Sequence, residues 1–357
     1  MIALKHSFFV VFSLLAVSGT AFAEDSSELA WHRQTSVEGT LGGRTLAVFQ
    51  RKAGGGRERA ASALLKSVVP QLSSAGALAT AAEPTRIRSS DTWTVFEGAG
   101  WRLRVAGVGE KASYRQHERL ARVALERQLP RAAAPRIRDL EDQARSFIQG
   151  TLKDAIQLGR SERLITWRAR YNIESDMDRA SGQVTERVAA TVLEFKREIA
   201  GIPVLGAGSS VSITFAADGS IAGFDYDWSN FEPAAREART VDRARLERRL
   251  ERVRTTRQLQ PAPGTPRVLG GVAAPLRPAA AQRATEQKER GLICGYFDAG
   301  SERAVDGNEL ELACVKSYTI RDVATGLEAG YVDVVPVDET LKPRNGWAET
   351  TLLLPTD

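Results

Sequence analysis

Residues 191–228 read TVLEFKREIAGIPVLGAGSSVSITFAADGSIAGFDYDW, and no other stretch narrows the possible folds as far. Leu193, Phe195 and Ile199 alternate with Val192, Glu194, Lys196 and Glu198, the two-residue period of a strand with one buried face. Arg197 falls on the apolar side, where its stem can pack while its head reaches water. Ala200-Gly201-Ile202-Pro203 turns the chain. Val211, Ile213 and Phe215 then alternate with Ser210, Ser212 and Thr214, and Asp218-Gly219 is a strong hairpin signal. Phe224, Tyr226 and Trp228 follow on one face, with Asp225 and Asp227 on the other. The expected order is strand, turn, strand, turn, strand.

The segments before this stretch supply its expected partners. Ile137, Leu140, Ala144, Phe147, Ile148, Leu152, Ala155 and Ile156 recur at spacings of three and four, which predicts a long helix over 137–156 with Gly159 just past its end. A helix with one apolar stripe must lie on something, and a sheet follows it. Ile165, Trp167, Ala169, Tyr171 and Ile173 alternate with polar and basic residues, adding a neighbouring strand. The fold class expected is α+β: an antiparallel sheet covered on one face by a long helix, with a C-terminal β extension.

The 357 residues suggest two domains or three. Residues 1–23 read as a signal peptide, with Lys5 and His6 before an apolar centre and Ala21-Phe22-Ala23 as the cleavage site. Residues 24–112 form a poorly defined N-terminal region in which Trp93 to Phe96 and Trp101 to Val105 predict a β-hairpin. Residues 113–255 hold the helix and antiparallel sheet, preceded by a charged helix over 113–128 and followed by one capped by Thr240. Residues 256–290 are a Pro/Ala-rich linker, and residues 291–357 a disulfide-bridged β region.

Export governs how the two cysteines are read. Cys294 and Cys314 are expected to pair in an oxidising compartment, closing a loop that stabilises the fold by about 3 kcal/mol. The expected location is secreted or periplasmic after cleavage near Ala23. No segment beyond the signal is apolar enough to predict a membrane span. The net charge is +5, from 49 basic and 44 acidic residues, and the arginines are interleaved with glutamates. Such mixing indicates a solvated face rather than a nucleic-acid groove.

Two runs in the organising stretch carry a resemblance. Phe195-Lys196-Arg197-Glu198-Ile199-Ala200-Gly201-Ile202-Pro203-Val204 and Ser212-Ile213-Thr214-Phe215-Ala216-Ala217-Asp218-Gly219-Ser220-Ile221 resemble the PepSY and thermolysin-propeptide (FTP) type of module, over at most residues 136–232. The resemblance implies a helix before a small antiparallel sheet, and an exported module that acts by binding. Members of this type include propeptides that inhibit metallopeptidases and help them fold. The sequence contains no His-Glu-x-x-His, so an inhibitory or chaperone-like role would act in trans.

No catalytic constellation stands out. His32 and His117 lie in separate segments without metal-ligand spacing, Gly54-Gly55-Gly56 lacks the Gly-Lys-Ser/Thr of a phosphate loop, and no Gly-x-Ser-x-Gly elbow is present. The expectation is therefore a non-enzymatic module without a cofactor or metal. It would bind a protein or peptide through Arg197, Gly201, Ile202, Pro203 and Val204, using an exposed strand edge. The alternatives are a structural cell-envelope component, or a hydrolase using an acidic sheet face formed by Asp225 and Asp227 with Glu194 or Glu198.

Overall fold

A computed structural model describes residues 43–52, 56–74, 84–130, 133–177, 181–258, 285–300, 309–322 and 328–340. The expected signal peptide, His32, most of the Pro/Ala-rich stretch and the loop with Asp306-Gly307-Asn308 lie outside the described residues. In chain order the elements begin with β1 (Thr45–Arg51) and α1 (Arg57–Ser74). A meander follows: β2 (Arg86–Ser89), β3 (Trp93–Gly98), β4 (Trp101–Ala106) and β5 (Lys111–Gln116). Helices α2 (His117–Arg127) and α3 (Ile137–Gly150) precede β6 (Glu162–Met177), β7 (Val184–Ile199), β8 (Ile202–Leu205), β9 (Ser210–Ala216), β10 (Ile221–Asp227) and β11 (Phe231–Arg239). After α4 (Arg243–Gln258) come β12 (Thr285–Phe297), β13 (Glu309–Asp322) and β14 (Glu328–Pro336).

The strands join in one mixed sheet, ordered β11-β1-β13-β12-β8-β7-β9-β10-β5-β4-β3-β2, with β14 added to β13 and β6 added to β7. This corrects the expected architecture. A fourteen-stranded sheet with four short helices replaces an antiparallel sheet under one long helix. The expected helix over 137–156 stops at Gly150. Leu152 and Ile156 continue its apolar stripe from turns closed by Ile156 N donating to Leu152 O at 2.8 Å. Burial of those side chains needs only the spacing, which a turn reproduces. The C-terminal strands are not an extension either. β12 lies parallel to β8 through Tyr296↔Val204 and Phe297↔Leu205, and β13 pairs with β1 through Phe49↔Leu310 and Gln50↔Glu309. These pairings join distant parts of the chain, so no local pattern announces them.

Local chemistry explains most turns. Ala200 (φ 50°) and Gly201 (φ 84°) are both left-handed between the paired residues Ile199 and Ile202, the signature of a type I′ hairpin turn. Gly219 is left-handed after Asp218, whose Oδ1 accepts from Ser220 N at 3.0 Å. The helix expected to be capped by Thr240 is capped instead by Asp242, whose Oδ1 accepts from Arg245 N at 2.7 Å. Thr240 is buried and exchanges hydrogen bonds with Arg44, and it forms an isolated bridge to Asp338.

The sheet carries two cores. In the larger, Leu64 and Val68 of α1 and Leu140 and Phe147 of α3 pack on the face formed by Tyr114, Phe224, Ile213 and Phe195. Phe224 stacks between Tyr114 and Tyr226, with ring centroids 5.9 and 6.1 Å away. On the opposite face α2 covers one end, its Val123 against Ala216 and Ala222. The second core gathers Val48, Ile199, Val204, Tyr296, Leu312 and Val337 around the Cys294–Cys314 disulfide, whose cysteines are direct partners across β12 and β13. The two cores meet along β7, which gives Leu193 and Phe195 to the larger and Ile199 to the second.

Candidate functional site

The residues singled out for partner binding sit at this seam, and most of them are enclosed. Arg197 and Val204 are fully buried, while Gly201 is exposed. β8 is not an open edge: β7 occupies one side through Glu198↔Pro203 and Ile199↔Ile202, and β12 the other. The fit against β12 is close enough that a Cβ on Gly295 would fall on the Pro203 carbonyl oxygen. A strand from another molecule therefore finds no free edge at residues 202–205.

Arg197 does not reach water. Its guanidinium lies 4.0 Å from the Trp228 ring and 5.1 Å from that of Phe231, and Nη2 donates to Ser229 O at 2.7 Å. Nη1 is 3.8 Å from Glu162 Oε1. Burial pushes the Arg197 pKa down to about 10, against the opposing pull of Glu162 and Asp298.

Around Arg197 the seam collects further buried charge. Arg51 spans two carboxylates, with Nη1 3.3 Å from Glu110 and Nη2 3.3 Å from Asp298. The Asp298 carboxylate also accepts from Ser209 Oγ at 2.8 Å and from Gly300 N at 3.0 Å. The Leu-Gly-Ala-Gly-Ser-Ser loop wraps so tightly here that a Cβ on Gly208 would fall on the Asp298 carboxylate. Lys196 Nζ ties the same loop by donating to Gly206 O at 2.6 Å and lies 3.8 Å from Glu194. Burial lowers the Lys196 pKa, opposed by Glu194 and Asp298. Burial raises that of Glu110, with Arg51 opposing and Asp227 and Asp298 reinforcing the rise. These groups bridge β1, β7, β9, β10 and β12, so the cluster fastens the two halves of the sheet together.

The acidic face resolves into separate ion pairs. Asp225 is hydrogen-bonded to Arg115, Glu198 to Arg163, and Glu194 to Arg168 at 2.6 Å. Asp227 shares that face but is buried at the seam. Among the described residues, no group of three or more His, Cys, Asp or Glu is arranged to hold a metal ion. His117 lies at the start of α2, its pKa lowered by partial burial and by the nearby Arg102 and Arg115.

A groove of about 620 Å³ runs between α1 and α3. Ser67, Gln71, Gln143, Ser146 and Thr151 line it, and Phe147 contributes to its wall. Thr151 Oγ1 donates to Gln71 Oε1 at 2.8 Å across it. Lys153 and Asp154 also line it.

A long strand edge that the sequence pattern did not single out lies on β6. Among the described residues β6 pairs with β7 alone, over sixteen residues, which leaves its outer edge free. Arg145 covers one end, its Nη1 donating to Leu164 O at 3.1 Å and its Nη2 to Thr166 Oγ1 at 2.9 Å. Beyond that point the β7–β9 pairing ends at Ala190↔Ala216, and β6 and β7 continue as a two-stranded arm. Ile173, Met177 and Val184 on the arm are 38%, 61% and 57% exposed. The β7 side of the arm is tied to the segment after α2 by Val188 N donating to Leu129 O at 2.8 Å, while the β6 side stays unpaired among the described residues. Alternating Arg168 and Arg170 beside Tyr171 and Ile173 carried the strand prediction, but its position at an edge depends on which strands pair. No helix among the described residues is long and apolar enough to cross a membrane. Compared with protein families and with curated proteins, the chain matches none.

Proposed function

We propose that the protein is an exported, non-enzymatic binding module that takes up an extended segment of a protein or peptide partner along the outer edge of β6. The observation that carries this reading is the sixteen-residue strand paired on one side, ending in an arm with three exposed apolar side chains. Backbone groups on such an edge supply affinity by strand addition, and alternate side chains supply specificity. Export is supported by the signal-like residues 1–23 and by the Cys294–Cys314 disulfide. The resemblance of residues 136–232 to PepSY and thermolysin-propeptide modules, which act by binding, points the same way. It adds a peptidase-inhibitor or chaperone-like role in trans.

The reading is tested by placing a photo-crosslinking residue at Asn172, in the middle of the exposed strand, and at Val108, in the exposed β4–β5 turn. Irradiation of the exported protein in its own cells is expected to give a discrete adduct from position 172 and none from 108. Equal labelling from both positions, or no adduct at 172, contradicts it.

A further inference from the structure

The free edge of β6 has a charge pattern that is complementary to its own reverse. Even-numbered positions from 168 to 176 share one face: Arg168, Arg170, Asn172, Glu174 and Asp176. Two bulges interrupt the β6–β7 ladder, but neither breaks this run. The first leaves Trp167 unpaired, before the run begins. In the second, Asn172↔Ala190 is followed by Ile173↔Val188, so the extra residue is Ala189 on β7. The strand is therefore regular from Arg168 to Met177, with positive charge at one end and negative charge at the other.

An antiparallel strand added to this edge must present negative charge opposite Arg168 and Arg170, and positive charge opposite Glu174 and Asp176. A second β6 meets that requirement when the two-fold axis passes through Asn172. Arg170 then faces Glu174 of the partner copy, and Arg168 faces its Asp176. By symmetry each contact occurs twice, as in any isologous interface. On the other face Tyr171 meets Ile173, an aromatic against a β-branched residue, a favourable cross-strand combination. A slip of one residue would set Arg170 opposite Ile173 and bring charge onto the apolar face, and a slip of two keeps only one of the two charge pairs, so the register about Asn172 matches the most charge. Arg170 has no ion-pair partner among the described residues, although Arg168 already contacts Glu194, and Glu174 and Asp176 contact Arg187.

We infer that the occupant of the β6 edge is a second copy of this chain, joined antiparallel about Asn172 so that the sheets of the two copies run continuously. This inference rests on the strand-addition reading above and names its partner. Sedimentation equilibrium tests it on the full mature chain. The wild type is expected at twice the chain mass. Arg170→Glu and Glu174→Arg each set like charges opposite one another twice per dimer and should weaken association about tenfold or more. The double variant R170E/E174R restores opposite charges in this register alone and should return to within about threefold of wild type. Both positions are exposed, and circular dichroism verifies that each variant is folded. A wild type that sediments as a monomer at every concentration overturns the inference, as does a double variant no better than the singles. If the chain is monomeric while position 172 crosslinks to a different protein, the self-pairing fails and strand addition stands. If position 172 crosslinks to nothing, both fail.

Discussion

Arg197 packs over Trp228, its guanidinium carbon 4.0 Å from the ring centroid, at the point where the two cores of the sheet meet. An arginine that a strand pattern places at a face edge has become an interior side chain, stacked between aromatics and bonded to one backbone carbonyl. Removing it and replacing it are different experiments. Arg197→Ala leaves a cavity and deletes the cation–π contact, and is expected to cost roughly 3 kcal/mol in urea unfolding. Arg197→Met keeps the volume without the buried charge and should change stability by no more than about 1 kcal/mol in either direction. Equal losses would mean that charge, rather than packing, holds the seam.

The turns give a pair of opposed predictions. Ala200 adopts φ 50° in the type I′ position where Asn is preferred, so Ala200→Asn should stabilise by about 1 kcal/mol. Gly206 has φ 93°, and a Cβ there would fall on the Asp298 carbonyl oxygen, so Gly206→Ala should cost roughly 3 kcal/mol or more. Thermal midpoints moving in opposite directions would confirm both.

The disulfide fastens β12 to β13 inside the second core. Reduction, or the double substitution Cys294→Ala with Cys314→Ala, should lower stability by about 3 kcal/mol. Intact mass after alkylation without reductant is expected to show both thiols protected.

Glu110 sets one pH dependence. Burial raises its folded-state pKa above the ordinary 4.5, so between those values the folded chain binds more protons than the unfolded one. Its contribution to stability is therefore lost as pH rises through that window. Carboxylates such as Glu141 and Asp218, whose pKa values are lowered, have the opposite dependence, so the comparison must be made by difference. Urea midpoints of wild type and Glu110→Gln, measured from about pH 4 to about pH 8, should converge at the acid end. Above it the variant should gain relative to wild type. Parallel curves would show that Glu110 does not titrate in this way.

Several elements were legible because neighbours in sequence are neighbours in space. The alternation of Leu193, Phe195 and Ile199, the Asp218-Gly219 turn, the Trp93 to Val105 hairpin and the pairing of Cys294 with Cys314 all recur in the structure. The helix over 137–156 was over-read because turns at Leu152 and Ile156 bury the same stripe. β5 was hidden inside a charged helix pattern, since Ala112, Tyr114 and Gln116 alternate for only six residues before α2 begins. The seam was beyond local reading. Arg51, Glu110, Lys196 and Asp298 come from separate parts of the chain, and only the β1–β13 and β12–β8 pairings assemble them. For the same reason Gly201-Ile202-Pro203 looked like an edge, while β8 lies between β7 and β12.

The central claim is that the outer edge of β6 accepts a strand, and amide hydrogen exchange across residues 168–177 tests it most directly. In dilute solution, amides directed away from β7 should exchange rapidly at alternate positions. In the complex formed at high concentration those same amides should become protected, with little change at β2, an edge strand separated from β7 by five strands in the pairing order. Alternate amides of β6 already protected in the dilute monomer, or protection on association that leaves β6 unchanged, would contradict the account.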